Sequence, residues 1–307
     1  MARGTVVVTA AAAEVSAGWP APAKINRFLH IVGRRADGYH ELETLFQFLD
    51  LADELAFTVN AAGGVTREGG PPGLAAEADL VVRAARALQQ ATGCPLGCHI
   101  RVDKHLPAGG GLGGGSSDAA TTLVALNELW GTGLDTAALA AIGLTLGADV
   151  PVFVHGHAAW AEGVGETLTP MAPDEPWFVI IDPAVSVSTA EVFGAPKLTR
   201  HTPRIRIPRL DTGSLGNDCE AVVRERYPAV GEALDWLGRF AGARLSGTGG
   251  CVFAPFARED EARSVCARVP PHWRGYVARG LNRSPLVARR DAVRAGDPAD
   301  YWGVAKR

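Results

Sequence analysis

The sequence predicts an α+β fold that is divided into two lobes around a shared cleft. A chain of 307 residues is long for one hydrophobic core and short for three. Segments with strand-like alternation and segments with helical periodicity follow one another irregularly, and they do not form a series of parallel βαβ units. A glycine run between a predicted strand and a predicted helix marks an anion-binding site within this fold.

The composition is that of a globular protein with a small-molecule ligand. Hydrophobic residues make up 47% and charged residues 21% of the chain, which excludes a disordered protein. A formal net charge of −3, without a long run of either sign, predicts no nucleic-acid partner. No stretch reaches the roughly 18 apolar residues of a membrane helix, so we expect no membrane association. We predict a cytoplasmic protein, with monomer and weak homodimer both left open.

The cysteines do not form a recognisable framework. There are 5 of them, an odd number, at positions 94, 98, 219, 251 and 266, without a C-x-x-C pair. This pattern argues against disulfide bonds and against a structural zinc site, so we expect reduced thiols and assign no metal ligands.

Periodicity and capping residues predict most elements. Alternating apolar residues predict strands, and apolar residues at helical spacing behind Asp79 and Asp135 predict helices with those residues as N-caps. The predicted strands cover residues 24–31, 55–59, 98–103, 179–181 and part of 242–256. The predicted helices cover residues 80–91, 116–130, a segment from 135 to about 147, much of 217–241, and 259–268. Residues 63–73 are predicted to be an irregular connection, and residues 149–154 a short apolar strand or buried segment.

The glycine run carries the strongest chemical signal. It reads Pro107-Ala108-Gly109-Gly110-Gly111-Leu112-Gly113-Gly114-Gly115-Ser116-Ser117. Bare backbone amides and a helix N-terminus attract phosphate, and residues without a Cβ let the main chain wrap a polyphosphate closely. The two hydroxyls can bond phosphate oxygens or orient Mg²⁺. The run also satisfies G-x-G-x-x-G, but weakly, and no lysine follows it as a Walker loop requires. The alternative interpretation is a flexible glycine turn that binds no ligand.

Three ordered motifs resemble the GHMP kinase superfamily. The glycine run and the residues after it, as far as Ala120, resemble the superfamily's P-x-x-x-G-L-G-x-S-S-x-A-A loop with one extra glycine. Pro22-Ala23-Lys24-Ile25-Asn26 and Leu245-Ser246-Gly247-Thr248-Gly249-Gly250-Cys251 resemble its first and third motifs. The resemblance covers roughly residues 19–288. Arg27 stands where an apolar residue is expected, which would alter the local packing.

The resemblance implies a two-lobed GHMP kinase fold with the active site in the cleft between the lobes. It implies an N-terminal extension over residues 1–18, an ATP-binding domain over 19–173 and a C-terminal domain over 174–307. The implied cofactors are ATP and Mg²⁺. ATP would lie against Lys104 and the run from Pro107 to Ser117. Lys24 and Asp149 would be the catalytic pair, which orients the acceptor hydroxyl and offsets charge on the phosphoryl group.

Two further segments resemble a branch of the superfamily that phosphorylates a cytidine-containing isoprenoid precursor. They run from Arg35 to Leu42 and from Leu146 to Phe153. The resemblance implies that Tyr39 and His40 stack on and hydrogen bond a cytosine. The other implied substrate-binding residues are Asn26, Phe46, Thr189 and Phe193.

Three other interpretations stay open from the sequence alone. The first is another kinase of the same superfamily, with homoserine, mevalonate or a sugar as its acceptor. A catalytically silent nucleotide-binding module would keep the fold without turnover. A dehydrogenase would use the glycine run for a dinucleotide.

Overall fold

The computed structural model describes residues 15–205 and 215–296. Most of the predicted N-terminal extension therefore lies outside the described residues. The remaining part is strand, because Val15 already pairs with Thr58 of the neighbouring strand. The first strand thus begins earlier than the sequence predicted. The described residues contain no helix with both the length and the apolar character needed to cross a bilayer.

The first lobe is a sheet covered by helices. Its strands are β1 (Val15–Arg34), β2 (His40–Asn60), β3 (Val65–Gly69), β4 (Gly97–Asp103), β5 (Ala159–Gly163) and β6 (Thr167–Pro170). Its helices are α1 (Leu80–Thr92), α2 (Gly114–Leu129), α3 (Thr136–Leu144) and α4 (Val150–His155). The long strand β2 pairs with β1, β4 and β5, always antiparallel. One core joins this sheet to the four helices.

The second lobe is a smaller antiparallel sheet with its own helices. Its strands are β7 (Trp177–Asp182), β8 (Arg244–Leu245), β9 (Val252–Phe256) and β10 (Arg274–Leu281). Its helices are α5 (Thr189–Phe193), α6 (Glu220–Arg226), α7 (Pro228–Leu237) and α8 (Glu259–Cys266). The last described helix, α9 (Pro285–Arg294), returns to the first lobe, where Leu286 is part of the core.

Strand β10 connects the two sheets. It pairs with β7 over most of its length, and at its end Gly280 and Leu281 pair with Leu49 and Phe48 of β2. The strand order along the continuous sheet is β3-β4-β2-β10-β7-β9-β8. The two lobes are thereby held together by backbone hydrogen bonds as well as by packing.

A shared core lies beneath the junction of the lobes. Leu49 of β2, Leu112 of the glycine run and Phe253 of β9 belong to one buried apolar cluster. Beside it, Arg27 is buried and bonds Gln47 Oε1 at 2.8 Å and Asp174 Oδ1 at 3.0 Å. The arginine that departs from the expected apolar pattern therefore packs against the connection between the lobes.

The capping predictions are confirmed. The Asp79 carboxylate accepts a hydrogen bond from the Val81 amide at 3.1 Å, and Asp135 accepts one from the Ala138 amide at 2.8 Å. Each bond satisfies one of the free amides at a helix start. These local signals place the starts of α1 and α3 correctly. Helix α1 ends at Thr92, one residue later than predicted, and α3 ends at Leu144, before the predicted end near residue 147.

Two predicted segments need correction. The apolar segment after Asp149, predicted to be a short strand or a buried segment, is buried but forms helix α4. Val150 to Val154 are all buried, so apolar and polar residues do not alternate with a helical or a strand period. The one local feature that indicates a helix is Pro151, because proline is favoured in the first turn. The glycine-rich connection over residues 63–73 contains β3, which pairs in parallel with β4 at the edge of the sheet. An exposed edge strand needs little apolar sequence, which explains why it was missed.

Candidate active site

A cavity of about 550 Å³ opens between the lobes. The first lobe contributes residues of β1 and β2, the glycine run and the start of α4. The second lobe contributes α5 and the turn between β8 and β9. The cavity is large enough for a small-molecule ligand.

The glycine run is an ordered wall of this cavity. The Leu112 carbonyl accepts from the Lys24 amide of β1 at 2.9 Å, and the Gly110 carbonyl accepts from the Cys251 amide at 2.9 Å. The Ser246 hydroxyl donates to the Gly111 carbonyl at 3.0 Å. The run is therefore clamped between β1 and the turn that joins β8 to β9, which argues against a flexible turn.

Glycine is required where the two turns meet. Gly111 has φ +74°, and a Cβ there would lie 2.2 Å from the Ser246 carbonyl oxygen. Gly250 on the facing turn has φ +97°, and its Cβ would lie 2.6 Å from the Gly109 carbonyl oxygen. Both the backbone conformation and the space exclude side chains. The third motif thus packs directly against the second.

The glycine run delivers the N-terminus of α2 to the cavity. Gly114, Gly115 and Ser116 form the first turn, where backbone amides have no acceptor within the helix, and all three line the cavity. Free amides and the helix dipole make this a site for a phosphate group. Ser117, which the sequence also placed there, is fully buried and does not line the cavity.

Lys104 lines the same end of the cavity but is committed to two carboxylates. Its ammonium bonds Asp53 and, at 2.7 Å, Asp118 Oδ2. Asp53 also accepts from the amides of His105 at 2.6 Å and Leu106 at 2.8 Å. Burial alone would lower the pKa of Lys104, but Asp118 and Asp53 raise it above its usual value. Burial raises the pKa of Asp118, although Lys104 opposes that change.

Sequence reasoning missed both carboxylates. Asp53 lies on β2 and Asp118 on α2, far from Lys104 along the chain, and neither stands in a recognisable spacing with it. The available signal was the lysine itself, since a lysine at the end of a buried strand needs a carboxylate partner. The three charges fix the segment that leads into the glycine run.

Lys24 and Asp149 form an ion pair at the centre of the cavity. The Nζ to Oδ2 distance is 3.1 Å, and the side chains are 4% and 34% exposed respectively. Lys24 is therefore enclosed while the carboxylate is open to a ligand. Asp149 precedes α4 but makes no capping hydrogen bond, so its carboxylate is not committed to the N-terminus of that helix.

A polar chain continues from this pair. Lys24 Nζ donates to Asn26 Oδ1 at 2.7 Å, and Asn26 Nδ2 donates to Thr44 Oγ1 at 2.9 Å. The Lys24 ammonium also lies 5.0 Å from the centre of the Phe46 ring, a distance at which the ring attracts a cation. These contacts fix the position of the ammonium from several sides.

Two aromatic rings also line the cavity, those of Phe46 and Phe193. On the side of the second lobe, the hydroxyls of Thr189 and Thr248 bond each other at 2.8 Å. The lining residues that the sequence did not predict are Leu29, Leu42, Thr44, Pro71, Leu80, Ala148, Val164, Gly247 and Thr248. Leu42, Ala148, Gly247 and Thr248 lie within the quoted motifs, which were the available signal, whereas the other five lie outside them.

The structure separates the two residues that were predicted to bind a cytosine. The His40 ring stacks on Phe193, with 5.0 Å between centroids and 20° between planes, so it backs the cavity wall. Tyr39 is 65% exposed on the preceding turn and does not line the cavity. His40 is thus close to the site through Phe193, whereas Tyr39 is not part of it in this conformation.

Comparisons with known proteins agree with this geometry. The family model for the GHMP kinases N terminal domain matches residues 79–157, and the model for the GHMP kinases C terminal domain matches residues 205–275. A crystal structure of a mevalonate kinase superposes with a TM-score of 0.65 at 14% identity, covering 88% of this chain and 100% of that one. At that identity the match concerns the fold alone. Fold and site together define a kinase of the GHMP type.

Two other matches narrow the family. The 4-diphosphocytidyl-2-C-methyl-D-erythritol kinase of Halorhodospira halophila is 60% identical over 282 residues, which cover 91% of this chain and 98% of that protein. A crystal structure of a 4-(cytidine 5'-diphospho)-2C-methyl-D-erythritol kinase has a TM-score of 0.75 at 32% identity, covering 87% and 99%. This chain belongs to the family of 4-diphosphocytidyl-2-C-methyl-D-erythritol kinases, as the sequence predicted.

We predict that Gly111→Ala weakens ATP binding by at least about tenfold, which corresponds to about 1.4 kcal/mol. The new Cβ would push the glycine run away from Ser246 and would move the amides of α2. Isothermal titration with ATP checks this. The matched control is Gly242→Ala, whose Cβ meets no atom within 4 Å. Equal ATP affinities for the two variants would contradict the assigned role of the close approach.

Proposed function

We propose that this chain transfers the γ-phosphoryl group of ATP to the 2-hydroxyl of 4-diphosphocytidyl-2-C-methyl-D-erythritol, a step of the non-mevalonate isoprenoid pathway. One observation carries the proposal. The Lys24–Asp149 pair lies in a cavity that has a helix N-terminus on one side and an aromatic-lined slot on the other. Such a site brings an anionic donor and an organic acceptor to the same two side chains.

The ATP phosphates bind the amides of the glycine run and the first turn of α2. The surface from Pro107 to Ser116 supplies donors without side chains in the way, and Lys104 lies at its edge. Lys104 is already neutralised by Asp53 and Asp118, so its role is to fix the loop and approach the adenosine, not to clamp a phosphate. The amides and Lys24 therefore carry the anion binding.

The residues present fit a Mg²⁺ ion that is held mainly by the nucleotide. Among the described residues, no group of three or more His, Cys, Asp or Glu side chains could hold a metal. Mg²⁺ in kinase sites usually takes only one or two protein oxygens besides phosphates and water. Here the Ser116 hydroxyl lines the cavity and would supply one such oxygen. The ion would offset the charge of the phosphates.

In the transfer, the 2-hydroxyl oxygen forms a bond to the γ-phosphorus while the bond to the bridging β,γ oxygen breaks and ADP leaves. The Asp149 carboxylate accepts a hydrogen bond from the 2-hydroxyl, orients its oxygen towards the γ-phosphorus and takes up the proton as the new bond forms. Lys24 stabilises negative charge on the phosphoryl oxygens. Because phosphoryl transfer has a loose transition state, positioning and electrostatic stabilisation provide most of the rate.

The acceptor occupies the aromatic slot. The cytosine lies against Phe193 with its pairing edge towards His40, while Phe46, Asn26 and Thr189 contact the diphosphate and methylerythritol portions. The exposed Tyr39 ring closes over the base only after its turn moves. A monomer and a weak homodimer are both compatible with this site. We infer a cytoplasmic location, where ATP is supplied to the reaction.

The proposed function is tested by ADP release from Mg·ATP with four acceptors under identical conditions. We expect turnover with 4-diphosphocytidyl-2-C-methyl-D-erythritol and none with homoserine, mevalonate or galactose. Turnover with one of the other three would retain the ATP site and refute the acceptor assignment. Binding of ATP without turnover of any acceptor would identify a catalytically silent module.

We predict that Asp149→Ala lowers kcat by about 10²–10⁴-fold, the usual contribution of a positioned acid–base group. The affinity for ATP should stay nearly unchanged, because the amides of α2 and the glycine run hold the phosphates. Steady-state kinetics and ATP titration check this. Asp149→Asn, which keeps the shape, serves as the matched variant. A large loss of ATP binding in both variants would overturn the role given to Asp149.

A further inference from the structure

Arg200 holds both members of the aromatic stack behind the acceptor slot. Its Nε donates to His40 Nε2 at 3.1 Å. Its Nη2 donates to the carbonyls of Phe193 at 2.9 Å and Ala195 at 2.8 Å, and its Nη1 donates to the Leu198 carbonyl at 3.1 Å. One planar guanidinium thus fixes the His40 ring and the backbone that carries Phe193.

The contact with Arg200 determines which nitrogen of His40 carries a proton. A guanidinium has donors and no acceptor, so His40 Nε2 must accept and is unprotonated. The neutral ring then has its proton on Nδ1, which makes Nδ1 a hydrogen-bond donor. The Nδ1–H tautomer follows from this single contact.

The charged groups around His40 also favour the neutral ring. Burial lowers the pKa of His40, and the nearby positive charges of Arg200 and Arg34 lower it further. Phe193, which covers a face of the ring, brings no charge. The imidazole is therefore kept neutral through the physiological pH range, and its donor and acceptor sides do not exchange.

We propose that Arg200 is a positioning residue for the acceptor: it fixes His40 as a neutral Nδ1–H donor and orders Phe193 beside it. The proposal rests on the proposed function, because it assigns the stack to the pyrimidine of the acceptor. Cytosine presents two acceptors, O2 and N3, on its pairing edge, and an Nδ1–H group complements either one. The opposite tautomer would set two lone pairs against each other. Arg200 does not line the cavity, so it acts through His40 and Phe193.

The kinetic test compares Arg200→Met, which keeps an unbranched apolar side chain but removes every donor, with the wild-type enzyme. We expect KM for the cytidyl acceptor to rise about tenfold or more, as for the loss of one or two hydrogen bonds. The kcat and KM for ATP should change little. The control is Arg224→Met, which also loses a bond to a backbone carbonyl, that of Gly231, and bonds to Glu220 and Asp235 away from the cavity. An acceptor KM equal to that of the control would overturn the proposal.

A pH profile separates positioning from a general structural role. The wild-type KM for the acceptor should change less with falling pH than that of Arg200→Met, because burial and the positive charges of Arg200 and Arg34 lower the pKa of His40. In Arg200→Met the pKa of His40 rises towards its ordinary value of about 6.5. The acceptor KM of the variant should then increase further as the pH falls below that value. A variant profile parallel to the wild type would contradict the proposal.

The tautomer is measured directly, without substrate, by long-range ¹H–¹⁵N NMR of the imidazoles in the unliganded wild-type protein. The His40 signal is assigned by its loss in His40→Asn. We expect an Nδ1–H tautomer, and an Nε2–H tautomer would refute the proposal even if Arg200→Met failed to fold. If the wild-type enzyme does not turn over the cytidyl acceptor, the proposed function fails, whereas the NMR result still decides what Arg200 does to His40.

Discussion

The close approach of two glycine turns is the constraint on which the site depends. The run before α2 and the turn between β8 and β9 meet backbone to backbone, and a Cβ on Gly111 or Gly250 would fall within 2.6 Å of a carbonyl oxygen. Because the turns belong to different lobes, this contact sets the position of the α2 amides relative to the second lobe. The Lys24 amide bonds the same run, so the catalytic lysine is held in the same frame.

The two lysines of the cavity show how burial assigns different roles to similar side chains. Lys104 is held by two buried carboxylates, Asp53 and Asp118, so its positive charge is neutralised by the protein itself. Lys24 pairs with a single carboxylate, that of Asp149, whose side chain is 34% exposed. An ion pair with one open partner can accept a ligand's charge and proton at low reorganisation cost. Lys104 and its two carboxylates thus hold the cavity wall in place, whereas Lys24 and Asp149 contact the substrates.

Local sequence signals predicted much of the fold and most of the cavity lining. Caps such as Asp79 and the glycine run act over a few residues, so their effect is visible in the sequence. Helix α4 and the partners of Lys104 were missed, because uniform burial erases periodicity and the carboxylates come from distant elements. Arg200 was missed for the same reason, since its contacts form only after β2 and the segment behind α5 meet. The motif resemblance predicted Tyr39 as a site residue. Its exposure depends on the conformation of the turn before β2, which the motif does not specify.

The most direct test of the account is a crystal structure of the protein with a non-hydrolysable ATP analogue and 4-diphosphocytidyl-2-C-methyl-D-erythritol. The account predicts the triphosphate on the amides of the glycine run and α2, the cytosine against Phe193, and the 2-hydroxyl between the γ-phosphate and Asp149. A nucleotide bound away from the glycine run, or a 2-hydroxyl out of reach of Asp149, would contradict the claim that both substrates meet at the Lys24–Asp149 pair.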